Sequence, residues 1–148
     1  MSCVYLAGPL FTDGEKQWNQ KLTNLLEEMG YEVFLPQRDG MLAAKTETMS
    51  TQEVVELIFS ADTEALKKSD ILVFVADGRV PDEGACVELG MAYALGKRCY
   101  GVRTDSRALS QLLPLNPLAA GCFRELFEAS GEEELLDRLR DYLSKKEL

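Results

Sequence analysis

The stretch DGRVPDEGACVELGM, residues 77–91, sets Asp77, Asp82, Glu83 and Glu88 among glycines, a proline and small apolar residues. Glu88 lies within ACVELGMAYAL, a run that otherwise reads as buried. On a helix its i−4 and i+4 neighbours are Gly84 and Ala92, so that face carries little bulk and a ligand can come close. A carboxylate near a helix N-terminus is held ionised by the dipole and the free N–H groups. Ionised, poorly solvated and open on one side, such a group suits a nucleophile. The alternative is an interface glutamate paired with an arginine, or a frayed surface position.

Three more side chains invite chemistry. Asp62 sits inside a helical stretch, where aspartate is a mediocre former. It either serves a site, caps a local break or faces water. Asp82 either caps the helix that carries Glu88 or faces one pocket with it. Tyr5, on a first strand, is either core or sends its hydroxyl to a carboxylate near the strand edge. Gly8, in AGPLF, either lets backbone approach a ligand or only makes a turn.

Composition narrows the chemistry. There is no histidine, which removes Ser-His-Asp and Cys-His catalysis and imidazole acid–base work. Proton transfer then falls to carboxylates, Tyr, Lys or Cys. Cys3, Cys86, Cys99 and Cys122 form no C-x-x-C pair, so they read as small buried hydrophobes in a reducing compartment, with no metal site expected. The net charge of −9 disfavours nucleic acid and anionic membranes as partners and suits a small neutral or cationic ligand. No apolar run approaches the roughly 20 residues of a membrane span. MSCVYLAGPLF lacks a basic start and a cleavage site, and the expected location is the cytoplasm.

The elements that must position these groups alternate. CVYLAG, YEVFLP, ILVFVA and RCYGVR read as strands, with a fifth expected around Gly121–Phe123. Between them run helical stretches: EKQWNQKLTNLLEEMG, with Trp18, Leu22, Leu25, Leu26 and Met29 at helical spacing; STQEVVELIFSADTEALKKSD, capped by Ser50; EGACVELGMAYALG; and GEEELLDRLRDYLSKK. QRDGMLAAKTETMS reads as a long connection. The pattern predicts an α/β fold over one domain, residues 1–148: a doubly wound parallel five-stranded sheet, flavodoxin-like or Rossmann-like, with helices on both faces. Ligands of such sheets bind outside the carboxyl ends of the strands, where AGPLF, PQRDG, ADGRVPDEG and RTDSR lie. G-x-G-x-x-G, G-x-x-x-x-G-K-[ST] and G-x-S-x-G are all absent.

YLAGPLFT, the aspartate eight residues before DILVFV, DEGACVELGMAYALGK and NPLAAG, in this order and spacing, resemble the nucleoside 2-deoxyribosyltransferase family. The resemblance covers about residues 4 to 121. It implies transfer of 2-deoxyribose between nucleobases without a cofactor, acting on a 2′-deoxynucleoside and a free base. It places the nucleophile on Glu88, the sugar-hydroxyl contact on Asp82, the base-protonating aspartate on Asp62 and the tyrosine bonded to the nucleophile on Tyr5. The asparagine lent by a neighbouring subunit falls on Asn116, and base contacts fall on Gln37 and Asp39. It implies a homo-oligomer with shared sites, a dimer or a dimer-based hexamer. The charged chain end departs from some members, so contacts made by their C-terminal residues are not carried over.

Four rivals stand beside the transferase. A hydrolase of the same fold would give the sugar to water. A related branch cleaves deoxynucleoside 5′-phosphates and tends to have serine where this chain has Asp82, whose charge repels a phosphate, although Arg38, Arg79 and Arg103 remain to serve an anion. A receiver-type signalling domain would use Asp77 as phosphoacceptor, and a binding module would hold nucleosides without turnover.

Overall fold

The computed structural model describes every residue except 41–47, 108 and 111. Five parallel strands, β1 (Cys3–Ala7), β2 (Glu32–Phe34), β3 (Ile71–Val75), β4 (Arg98–Arg103) and β5 (Glu125–Glu128), form one sheet in the order β2-β1-β3-β4-β5. This is the expected doubly wound α/β sheet, and its direction of winding reverses between β1 and β3.

Alternation along each strand divides the core. Val4, Leu6, Val33, Ile71, Val73, Val75, Tyr100, Val102 and Phe127 point to one face. There they meet α1 (Asp13–Glu28) through Trp18, Leu22, Leu25 and Leu26, and α6 (Glu132–Leu143) through Leu135 and Leu139. Tyr5, Ala7, Leu72, Phe74, Ala76 and Cys99 point to the other. That face is covered by α3 (Thr51–Lys68) and α4 (Glu83–Ala94), which contribute Leu66, Ala85, Leu89 and Ala92, and by α5 (Pro117–Cys122), which adds the partly buried Ala119 and Cys122. Every residue of β3 is buried, as a central parallel strand requires.

Local chemistry sets the helix ends. Thr12 and Ser50 each build a capping box, with Glu15 and Glu53 reaching back to the cap backbone. α1 and α4 are followed by Gly30 (φ +90°) and Gly96 (φ +72°), left-handed positions that glycine takes without strain. Gly101 has another reason to be glycine: a Cβ there would stand 2.6 Å from Leu126 Cδ1 and 3.0 Å from the Phe123 ring.

Two expectations are corrected. The fifth strand lies at Glu125–Glu128, not around Gly121–Phe123. Asn116 caps α5 through its side chain and Pro117 takes the first helical position, so Gly121 and Cys122 complete a helix. The segment PQRDG is not all loop: Pro36 starts a short helix, α2 (Pro36–Asp39). The rest of the expected long connection, residues 41–47, lies outside the described residues.

No helix among the described residues is long and apolar enough to cross a membrane. All four cysteines are free thiols, only Cys99 being fully buried.

Candidate active site

Glu88 stands a turn and a half into α4, on the side that looks towards α3. Asp82 caps this helix, its Oδ2 accepting from the Ala85 N–H at 2.9 Å. Beneath Glu88, Tyr5 rises from the middle of β1, fully buried, and donates its hydroxyl to Glu88 Oε1 at 2.7 Å. Two residues 83 apart in sequence thus make one short bond, of the length typical when the acceptor is a carboxylate. Burial and the neighbouring Glu88 charge push the Tyr5 hydroxyl far above its ordinary range, so it stays a donor.

Asp62 approaches from α3. It lines one cavity of about 380 Å³ with Glu88, Gly84, Val54, Val55, Ile58, Phe59 and Met91. The helix around it is unbroken, so Asp62 caps nothing. Its carboxyl is pushed up by burial. Glu88 is pushed up to about 7, chiefly by burial and further by the charges of Asp62 and Asp82, against the Tyr5 hydrogen bond that lowers it. Two carboxyls thus line one apolar cavity, and burial drives both towards the neutral form. One can stay ionised while the other donates.

The remaining expected residues are spread more widely. Asp82 lies beside Glu88 and acts on its charge, but it does not line the cavity. Asn116 lies across α4, in an apolar cleft of about 680 Å³ with Val80, Tyr93 and Leu118. Its Oδ1 accepts from the Leu118 N–H. Gln37 accepts from Asn19 Nδ2 and donates to the Lys16 carbonyl. Asp39 accepts from the Leu35 N–H and from the Arg38 guanidinium. Neither Gln37 nor Asp39 lines the Glu88 cavity. Gly8 packs against β3, where a Cβ would meet Val75 Cβ at 2.7 Å. Its glycine identity is explained by this close approach.

Of the groups named for the rival readings, Arg79 is exposed, while Asp77, Arg38 and Arg103 are engaged elsewhere. Asp77 Oδ1 accepts from the backbone N–H groups of Thr104 and Asp105, and its Oδ2 accepts from the Thr104 hydroxyl. Both oxygens tie the loop after β3 to the loop after β4. Arg38 pairs with Glu27 and Asp39, and Arg103 is buried against Glu128. Burial raises the Cys86, Cys99 and Cys122 thiols, Cys99 to about 11, which leaves them poor nucleophiles.

The wall of the cavity was not anticipated. Val54, Val55, Ile58 and Phe59 recur at i, i+1, i+4 and i+5 just before Asp62, a spacing that reads as a core face. Yet Val55 is 56% and Phe59 60% exposed, and both face the cavity. An apolar stripe that leads into an aspartate within one helix was the available signal.

The family model for nucleoside 2-deoxyribosyltransferases matches residues 4–139. The chain belongs to the nucleoside 2-deoxyribosyltransferase family. Among solved structures it is similar to a conserved protein from Enterococcus faecalis V583, at 27% identity and TM-score 0.74 over 95% of this chain and 98% of that one. It is similar to a 2-deoxyribosyltransferase from Bacillus psychrosaccharolyticus, at 23% identity and TM-score 0.76 over 95% and 92%. It is also similar to a CMP N-glycosidase from Clostridium botulinum, at 24% identity and TM-score 0.63 over 95% and 98%. The last two likenesses speak for the shared fold. No curated protein matches the chain significantly. Members of the nucleoside 2-deoxyribosyltransferase family are enzymes, and the observed sheet is the one its structures share.

Proposed function

We propose that the protein transfers 2-deoxyribose between nucleobases through an ester on Glu88. The observation that carries this reading is the Tyr5–Glu88 hydrogen bond at the edge of a cavity that also holds Asp62. Ionised Glu88 attacks C1′ as the C1′–N bond breaks. The bonding pair leaves on the base nitrogen, and Asp62 supplies the proton that neutralises it. An incoming base then attacks C1′ through its nitrogen, the C1′–O bond to Glu88 breaks, and Asp62 takes the proton released. Two inversions give net retention. Tyr5 stabilises the charge on Glu88 before attack and after release.

Asp82 stands next to Glu88 and is the candidate for the sugar hydroxyls. Among the described residues no lysine or arginine lines the cavity, which supports a neutral nucleoside over a nucleotide 5′-phosphate. Gln37 and Asp39 would have to exchange their present hydrogen bonds to reach a base.

Asn116 supports an assembled enzyme, as a homo-oligomer of at least two copies of one domain spanning 1–148. It lies across α4 from its own Glu88, so it would serve the Glu88 of a neighbour. The apolar residues of α4 run around the helix, yet Val87 and Tyr93 are more than half exposed. A second copy would cover such a face.

Hydrolysis is the second reading. It is favoured by the half-exposed wall, which lets water approach Glu88, and by the fold shared with a CMP N-glycosidase. Incubation of deoxyinosine with adenine separates the two. Deoxyadenosine as product, with a mass adduct of one deoxyribosyl group lost in Glu88→Ala, is the expected result. Free deoxyribose with no exchange would replace transfer by hydrolysis, and full exchange by Glu88→Ala would overturn both.

A further inference from the structure

The Tyr5–Glu88 bond depends on the tilt of the tyrosine ring, because the hydroxyl lies far from the backbone that anchors it. The sheet register sets Tyr5 between two side chains on the same face: Phe34 of β2 and Leu72 of β3. Leu72 is fully buried in the common core. Phe34 is only half-buried, and its ring stacks on Tyr5 with centroids 5.2 Å apart and planes 24° from parallel. Beyond Phe34 lies a separate cleft of about 590 Å³, lined also by Val33, Ala61, Ala65 and Lys68. Phe34 is therefore the partition between the Tyr5 ring and open space. Offset stacking of two rings is also directional, unlike contact with an aliphatic side chain.

We propose that Phe34 is a positioning residue that holds the Tyr5 ring in reach of Glu88 and so governs how readily Glu88 ionises. The inference rests on the reading of Glu88 as the nucleophile. Truncation at position 34 opens the cleft to the Tyr5 ring, which tilts away, and Glu88 loses its donor. The groups that act on Glu88 are then Asp62 from α3 and Asp82 from the start of α4, both of which disfavour its charge. The Glu88 midpoint must rise. Simple wetting of the site would move it the other way, since water favours the ionised form.

The test titrates the Glu88 side-chain carboxyl by ¹³C NMR and measures deoxyribosyl transfer in wild type, Phe34→Ala, Phe34→Leu, Phe34→Tyr, Tyr5→Phe and the double variant Phe34→Ala/Tyr5→Phe. Phe34→Leu fills the space without stacking and guards against a misfolded alanine variant. The expected result is a midpoint that moves up in Phe34→Ala and Phe34→Leu as it does in Tyr5→Phe, with Phe34→Tyr unchanged. kcat should fall roughly tenfold with KM nearly constant, the cost expected for losing a hydrogen bond to a charged group. In the Tyr5→Phe background Phe34→Ala should have no further effect on kcat. A midpoint that stays put or falls in Phe34→Ala while that of Tyr5→Phe rises overturns the inference, as does an equal loss of kcat in both backgrounds. Activity that survives Glu88→Ala overturns the reading beneath it instead, so the two failures are distinct.

Discussion

The two faces of the sheet differ in how they use their side chains. Towards α1 and α6, large aliphatic and aromatic groups interlock and charges meet at the rim, as where Lys21 reaches Glu132 at 2.7 Å. Among the described residues, the buried polar atoms without a partner, Trp18 Nε1, Asn19 Oδ1 and Thr23 Oγ1, are all on α1. Towards α3 and α4 the packing is thinner. Only Leu66 of the eighteen residues of α3 is buried, and an acid and a phenol sit where aliphatic groups would stabilise more. A midpoint near 7 against an ordinary 4.5 makes ionised Glu88 cost roughly 3 kcal/mol of folding stability. One face supplies stability, and the other gives some of it up to hold a buried carboxyl.

The sharpest way to break this contrast is Glu88→Gln. Transfer should fall by about 10³-fold or more, since the amide cannot act as nucleophile. The same variant should melt higher than wild type at pH 8. The sign follows from linkage: the folded state holds the Glu88 proton more tightly than the unfolded one, so stability declines as pH rises from about 4.5 to 7 and the full cost is present above that. The gain of the variant should therefore vanish near pH 4. An unchanged melting temperature at both pH values would mean that Glu88 is not strained by burial. In wild type, kcat/KM should fall as pH drops through about 7, where Glu88 takes up its proton.

Asp62→Asn comes next, with an expected loss of about 10²-fold in kcat, the usual worth of a general acid. The loss should be smallest for bases that leave easily without protonation. A uniform loss across leaving groups would assign Asp62 to binding. On the opposite face, Leu26→Ala should cost about 2–5 kcal/mol by denaturant melts while leaving kcat per folded molecule unchanged. Altered kcat there would show that the faces are coupled. The smallest effect is expected from Thr23→Val, which removes an unpartnered hydroxyl at constant shape and should stabilise by about 1 kcal/mol. Destabilisation would reveal a partner for that oxygen.

Much of this division was legible in the sequence. ILVFVA is apolar without alternation and reads as a strand covered on both faces. Ser50 announced a helix start, whereas the Thr12–Glu15 capping box that opens α1 went unread. Glu88 stood out because its neighbours are small and apolar. What stayed hidden depends on contacts between distant segments. The Phe34–Tyr5 stack follows from strand register, which strand composition does not fix. Gln37 looked available because nothing local reveals that Asn19 and Lys16 use both ends of its amide. The strand ELFE was overlooked because its two acids mask an edge strand, one of them drawn to Arg103. The apolar AAGCF beside it, which looked more strand-like, belongs mostly to a helix set by Asn116 and Pro117.

The half-exposed wall on α3 has an evolutionary consequence. Val55, Ile58 and Phe59 add little to the core, so replacing them forfeits little of the free energy that keeps the chain folded. Tyr5 and Glu88, by contrast, are rooted in a central strand and the helix beside it. The fold can thus trial new ligands by redecorating one outward helix while the Tyr5–Glu88 pair stays fixed, and laboratory evolution of this protein should find its gains there first.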